Sequence, residues 1–553
     1  RGANHSKSFL TPYSLYLLGD DGSVANERIF GKTSLSEEMY IGNNMTSTLT
    51  LTYNKKIKGH SMSGLLVYEQ FESLGSTLGA SRTNFPFTSI DQLFAGGDDE
   101  EQSNWGTPAQ DARKGLIGRF NYDYKGKYLA EFSFRYDGSL KFHPDRRWGF
   151  FPSVSLGWRL SEEAFMKKFS NLDNLKVRGS YGILGNDAVG GWQWLTNYSF
   201  GNAYIFNQAP IKSIVSGGIP NVDLTWEKTA TFNFGVDASI YKGLLAVEAD
   251  VFYKRTYDIL GSRNASMPQT FGATLPSENY GIVKVKGFEL QVKHDNKIGD
   301  FRYHVGGNVS WSRNKVIEKD YAAGAEPWNI PVGKTMGYRA CFVALGLFQS
   351  DEEAAAWPRF KGTQPTAGDV KYADLNNDGI MDERDKKVVS PYSNTPEIMF
   401  GLNLSASWKG FDFSALFQGA ANRNVMLSGF ATQMFINGAS NLPKYLYEDH
   451  WTPDNRDARY PKAWGPDHPS NNKSSTFWLI NGNYVRLKNV ELGYSISKDL
   501  LSRVGVDRLR IYVGGSNLFS IDHMPGYDPE KQDGGPNYYP QQRVFNMGVN
   551  ITF

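Results

Sequence analysis

Long runs of two-residue periodicity constrain this chain more than any other feature. In Leu116–Tyr124, Leu116, Phe120, Tyr122 and Tyr124 are apolar or aromatic, and Arg119, Asn121 and Asp123 between them are polar. After a Lys125-Gly126 turn, Tyr128, Ala130, Phe132, Phe134 and Tyr136 alternate with Glu131, Ser133 and Arg135. The rhythm returns in Phe150–Leu160, in Phe288–Val292 and, after an Asp295-Asn296 turn, in Phe301–Trp311. Further copies run through Phe400–Trp408, Phe411–Phe417, Tyr484–Tyr494 and Leu509–Val513. Side chains alternate across a β-strand, so each run has one apolar and one polar face. Runs of about 9 to 12 residues match a tilted strand that crosses a bilayer.

Alternation by itself fits any antiparallel sheet with one wet face. Two further features favour a membrane barrel. Tight turns (Lys125-Gly126, Lys242-Gly243, Lys409-Gly410) take turns with long polar segments, the pattern of short periplasmic turns and long extracellular loops. Aromatics such as Tyr122, Tyr124, Tyr128 and Tyr136 crowd the strand ends, where an interfacial girdle lies. Composition agrees: 14% of the residues are aromatic, and 59 Lys and Arg face 57 Asp and Glu, so no basic excess points to nucleic acid. No segment approaches the roughly 18 apolar residues of a membrane helix. The single cysteine, Cys341, has no disulfide partner. The expected class is all-β, a transmembrane antiparallel β-barrel, with about sixteen to eighteen strand candidates. Those before Leu116 are the weakest.

The last run is the sharpest. In Val544–Phe553, Phe545, Met547, Val549, Ile551 and Phe553 are apolar, and Asn546, Gly548, Asn550 and Thr552 are small or polar. An alternating strand with a terminal aromatic resembles the signal read by the outer-membrane barrel assembly machinery.

Several segments carry a family resemblance. They are Gly115–Tyr122 continuing to Arg135–Ser139, Trp148–Ser155, Leu175–Gly182, Asn221–Lys228, Val285–Leu290, Asn483–Val490, and Gly514–Phe519 followed by Gly526-Tyr-Asp-Pro-Glu530. In this order the chain resembles the C-terminal part of SusC/RagA-type TonB-dependent outer-membrane transporters, over nearly its whole length. The resemblance implies a barrel of about 22 strands with a plugged lumen. It also implies a place in the Gram-negative outer membrane and active import of an oligomeric nutrient, glycan or peptide, driven by TonB. A SusD-like surface lipoprotein would cap the barrel. The chain opens RGANHSKSFL, and neither a TonB box nor a plug is recognisable. The expectation is that residues 1–553 are the later portion of the barrel, partnered by an N-terminal plug portion of the same protein. Alone, that piece is expected neither to close nor to transport.

One compact ligand constellation stands out, Asp374-Leu-Asn-Asn-Asp-Gly-Ile-Met-Asp-Glu-Arg-Asp385. On the EF-hand template, oxygen donors fall on Asp374, Asn376, Asp378, the Ile380 carbonyl, Asp382 and Asp385, with Gly379 at the turn. An all-oxygen set suits Ca²⁺ in a structural role within an extracellular loop, 374–385. The competing reading is an Asx-turn loop whose acids cap their own backbone. Trp192, Trp194, Trp451 and Trp464 sit in irregular polar segments and are candidate substrate contacts, against loop packing as the alternative.

Catalytic motifs are missing. There is no His-Glu-x-x-His pair, no Gly-x-Ser-x-Gly elbow and no cysteine pair. The Gly-Lys-Thr strings at Gly31–Thr33 and Gly333–Thr335 lack the upstream glycine of a phosphate loop, since Asn26 and Trp328 stand there. An enzyme is not expected, and a passive porin or adhesin barrel is the alternative to an importer.

Overall fold

The computed structural model describes residues 2–18, 21–97, 102–206, 209–273, 275–435, 442–464, 468, 470–497, 501, 505–531, 533–534 and 541–553. Sixteen strands form one antiparallel wall in chain order. They are β1 Gly2–Leu10, β2 Ser34–Ile57, β3 His60–Thr83, β4 Gln102–Tyr124, β5 Tyr128–Ser139, β6 Trp148–Arg159, β7 Leu172–Asn186 and β8 Glu227–Ile240. The series continues with β9 Leu245–Gly261, β10 Glu278–Ile298, β11 Phe301–Glu318, β12 Ile398–Trp408, β13 Phe411–Ala421, β14 Tyr484–Ser495, β15 Arg508–Asp522 and β16 Val544–Thr552. Among the described residues, β1 and β16 pair on one side only.

Connections segregate strictly by end. At one end lie 58–59, 125–127, 160–171, 241–244, 299–300, 409–410 and 496–507; at the other lie 11–33, 84–101, 140–147, 187–226, 262–277, 319–397, 422–483 and 523–543. Four of the short connections contain Lys-Gly with both residues at positive φ, at Lys58-Gly59, Lys125-Gly126, Lys242-Gly243 and Lys409-Gly410. A tight hairpin whose twist matches its strands needs left-handed backbone at these positions, which glycine adopts at no steric cost. The hairpin expected at Asp295-Asn296 is displaced: β10 runs on to Ile298, Asp295 pairs with His304 and Asn296 with Tyr303, and the reversal falls at Gly299, φ +60.

The register puts apolar residues in lateral rows on one face. One row runs Phe120, Phe132, Val154, Tyr181, Phe232, Tyr253 across β4–β9, and every member is solvent-exposed. Another, at the short-turn end, runs Trp408, Phe411, Tyr494, Ile511, Val549 across β12–β16. The opposite face carries Arg119, Ser133, Ser153, Gly182 and Thr231 in the same registers. So much exposed apolar surface is unfavourable in water by about 25 cal/mol per Å² and favourable against acyl chains. Stacked rings mark the edges of the apolar band: Tyr124, Tyr128 and Trp158 at the short-turn end, Tyr136 on Trp148 toward the loops. Tyr128 and Tyr136 lie about 27 Å apart along β5 at roughly 3.4 Å per residue, or about 20 Å of depth for a tilt of about 40°. Among the described residues no helix is long and apolar enough to cross a membrane, and the crossing elements are strands.

A wall one strand thick has no interior, so the buried cores sit among the long loops. One joins Val425, Leu427, Met434, Leu446, Tyr460, Trp464 and Trp478; a second joins Phe342, Val370, Tyr372 and Met381. A third, Phe142, Phe151, Leu224 and Trp226, ties the loops after β5 and β7 to the wall.

Candidate functional site

The polar face of the wall and the loop storey above it make up the candidate substrate path. On that face, Arg178 of β7 donates to both oxygens of Asp250 on β9 at 2.6 Å and through Nε to Asp237 of β8 at 3.0 Å. Gly235 lies directly beneath: a Cβ there would stand 2.6 Å from Arg178 Cζ and from an Asp250 oxygen. Arg119 and Glu131 pair at 2.6 and 2.8 Å, and Arg510 bridges Asp412 and Glu491. Such charges belong on a wet or protein-covered lumen and not on the lipid side. Two clefts open on this face. One of about 410 Å³ is lined by Ser63, Asn121, Glu131, Arg178, Ser180 and Asn233. The other, about 820 Å³ and nearer the short turns, has Asp295, His304, Ser405, Ser407 and Asp412 in its lining.

Three arginines clamp the loop storey around the Gly526-Tyr-Asp-Pro-Glu530 motif, and one of them, Arg486, ties it to the wall. Arg486, buried on β14, donates to Asp528 at 2.7 Å and Glu530 at 2.9 Å. Lys488 adds a bond to Glu530 at 2.7 Å. Arg423, also buried, donates to the carbonyls of Pro529 and Lys531 at 2.6 Å each. Burial lowers the Arg423 pKa, and the acids around it offset part of that. Arg339 grips Asp533 with two bonds of 2.8 Å. None of the three was a candidate on sequence grounds. The signal available was the pair of segments Asn483–Val490 and Gly526–Glu530, both part of the family resemblance, which the fold brings into contact.

A second buried knot sits in the loops. Asp369 accepts from the Thr366 backbone at 2.8 Å and from Asn471 Nδ2 at 2.9 Å, with His468 Nε2 at 3.3 Å. Asn471 Oδ1 accepts from Val370 N, and its carbonyl accepts from Trp478 Nε1 at 2.7 Å. Burial pushes the Asp369 carboxyl up, but hydrogen bonds from His468, Thr366 and Asn471 and the His468 charge outweigh it and hold it below the usual carboxylate range.

The twelve-residue acidic loop is held by its own backbone. Asp374 accepts from Asn377 N and Gly379 N, Asp378 from Ile380 N, and Asn376 from Asp378 N. Asp385 is fully buried and accepts from Leu375 N and Asp382 N at 2.8 Å. Ile380 pairs with Arg359 in a short parallel ladder. The Arg384 guanidinium sits against Asp378 at 2.6 Å and Asp382 at 2.8 Å, and its hydrogen bonds hold the Asp382 carboxyl below its ordinary pKa. Among the described residues, no three His, Cys, Asp or Glu side chains converge as a metal site. This is the Asx-turn arrangement, with an arginine between two of the expected ligands.

The four tryptophans separate into two pairs. Trp464 is buried in the first loop core. Trp451 is buried against Gly368, where φ is +84° and a Cβ would lie 2.5 Å from the indole. Both are packing residues in this structure. Trp192 is exposed with a left-handed backbone, φ +65°, and lies 6.1 Å from Trp194, whose other neighbour is His143 at 5.3 Å.

A lipid-facing apolar band, a polar lumen face, and segregated short turns and long loops define a transmembrane β-barrel of the outer membrane. Residues 3–518 match the TonB dependent receptor-like, beta-barrel family. The chain belongs to that family. It is 26% identical over 541 residues to TonB-dependent receptor P3 of Formosa agariphila, covering 92% of this chain and 52% of that protein. It is 26% identical to TonB-dependent receptor SusC of Bacteroides thetaiotaomicron, covering 79% of this chain and 43% of that protein. The chain thus spans about half the length of the curated relatives it matches. Among solved structures, the RagAB peptide transporter superposes with a TM-score of 0.77 at 23% identity, over 94% of this chain and 56% of that one. The two sequence relatives are receptors, and the structural match is a peptide transporter.

Proposed function

We propose that the chain is the barrel portion of an energy-coupled importer of oligomeric nutrients, glycan or peptide, in the outer membrane. The observation that carries this reading is the lumen face: it holds paired charges such as Arg178 with Asp237 and Asp250, beside a cleft lined by Arg178, Glu131 and Asn233. An N-terminal plug portion of the same protein packs on that face and carries the contact to TonB. A SusD-like lipoprotein sits on the loop storey, whose arginine-clamped motif gives it a fixed platform. Trp192 and Trp194 offer aromatic faces to sugar rings or peptide side chains at the loop end. Calcium binds the 374–385 loop only once Arg384 leaves Asp378 and Asp382.

The test is growth on purified oligosaccharides and peptides by cells that make the complete protein, with and without TonB and the lipoprotein. Uptake that needs both supports the reading. Uptake or liposome leakage that persists without TonB instead supports a passive porin, and the importer reading is then wrong.

A further inference from the structure

The outward face carries a second, unassigned feature at the loop end of β8–β11. The last apolar row there runs Phe234, Val251, Phe288, Trp311, Ile398. One register step toward the loops, the same face reads Phe232, Tyr253, Lys286, Arg313; the next reads Ala230, Arg255, Lys284, Lys315; Lys228 follows opposite Tyr257. Six cations therefore begin where the acyl-facing residues end. Two of them are compensated: Arg313 pairs with Glu397 at 2.7 Å and Lys228 with Asp258 at 3.1 Å. Arg255, Lys284, Lys286 and Lys315 have no ion-pair partner among the described residues. Arg255 stacks only on Tyr257, at 5.3 Å.

The cations surround a cavity of about 390 Å³ whose lining includes Tyr253, Lys284, Lys286, Arg313, Lys315 and Lys334. The Lys334 ammonium is already spent on backbone carbonyls, at Ile330 and Pro327, so its contribution is a wall and not a free charge. Lys and Arg at a strand end can simply snorkel to water. Three uncompensated cations, Lys284, Lys286 and Lys315, converging on one cleft just beyond the last apolar row go further. Like charges held together are destabilising unless an anion joins them. The short turns lie on the periplasmic side, so this cleft faces the outer leaflet.

We propose that the β9–β11 cleft binds a phosphorylated glycolipid of the outer leaflet through its phosphate. Lys284, Lys286 and Lys315 supply the charge, and Tyr253 and Trp311 flank the first acyl chain carbons.

The test uses the complete protein in nanodiscs, with bisphosphorylated lipid A as probe and the same glycolipid stripped of phosphate as its comparison, each retained lipid counted by native mass spectrometry. K284Q/K286Q/K315Q is set against K58Q/K242Q/K409Q, which removes three cations from the periplasmic turns. Each interfacial cation near an anionic headgroup is expected to contribute about fivefold, so the cleft triple should weaken binding about 100-fold and the turn triple less than twofold. Single K286Q carries the same expectation at about fivefold and guards against a folding defect in the triple. Equal binding by the cleft triple and the wild type, an equal loss in the turn triple, or undiminished binding of the dephosphorylated glycolipid would each overturn the assignment.

Discussion

Replacing Arg486 by Met tests whether the loop motif is held by charge or merely by packing. The Arg486 side chain is 5% exposed and the Asp528 side chain 9%, with Nη2 and Oδ2 2.7 Å apart. Removing one partner of such a buried pair costs about 3–5 kcal/mol, because the other charge stays in a low-dielectric site. The lower end applies here. Glu530, the second partner, is 29% exposed and keeps Lys488 at 2.7 Å, and Asp528 keeps a hydrogen bond from Glu530 N at 2.8 Å. At roughly 3 kcal/mol, local opening of residues 526–531 becomes about 150-fold more frequent, since each 1.4 kcal/mol is tenfold. Hydrogen exchange on the complete protein in detergent reads this directly as lost amide protection in that peptide, with the β4–β8 wall unchanged. Arg486→Met combined with Asp528→Asn removes both charges, so it should recover most of the protection. If the double variant exchanges as fast as the single one, the clamp is not electrostatic and the reasoning fails.

Three other outcomes follow from the loop storey. Cys341 is fully buried, and burial pushes its thiol up to about 11, so at pH 8 about 0.1% is thiolate against about a quarter for a free cysteine. Iodoacetamide should leave it unlabelled in the folded protein and label it after denaturation; rapid native labelling would show that the Phe342–Tyr372 core opens. Asp369 is held below its unfolded value of about 3.9, so it adds stability above that pH and loses it as pH falls through the lower, folded value. Acid unfolding of the loops below about pH 4 should therefore flatten in Asp369→Asn, and an unchanged acid limb would move the cause elsewhere. Calcium titration by calorimetry should give little heat with wild type and more with Arg384→Ala, abolished by adding Asp378→Ala; no heat in any variant removes the calcium reading.

How much of this was legible depends on which solvent a segment faces. β4 to β6 and β10 to β16 could be read because lipid on one face and lumen on the other enforce period two, whereas no alternating run was read in β7, β8 or β9. β2 and β3 each run for 24 residues, about 80 Å at roughly 3.4 Å per residue, far beyond the bilayer. Their loop-end halves, Leu35–Gly42 and Gly75–Arg82, pair with each other and show no such alternation, whereas Thr46–Tyr53, in the short-turn half of β2, does alternate, with Leu49, Leu51 and Tyr53 exposed between threonines. Asp295-Asn296 looked like a turn because those residues favour turns. Here His304 bonds Asp295 at 2.7 Å and Tyr303 bonds Asn296 at 3.3 Å, so the ladder continues to the glycine that can take positive φ.

The loop residues were harder for a different reason. Trp451 and Trp464 stand among Asp, Asn, Pro and Gly, where nothing in the neighbouring sequence reveals burial, because their packing partners arrive from far along the chain. The same holds for Arg339, whose partner Asp533 is 194 residues away, and for Arg423, which binds carbonyls no side-chain pattern can announce. The acidic loop differs again: its spacing fits a cation, and in this structure the Arg384 guanidinium pairs with two of its candidate ligands, Asp378 and Asp382. Wall and loop storey are thus stabilised by opposite means. The wall turns its apolar side outward and relies on lipid, while the loops bury theirs and rely on water to drive them together. The loop storey therefore keeps its shape independently of the wall's lipid, because the clamp at Asp528 and the cores beneath it do not depend on the bilayer.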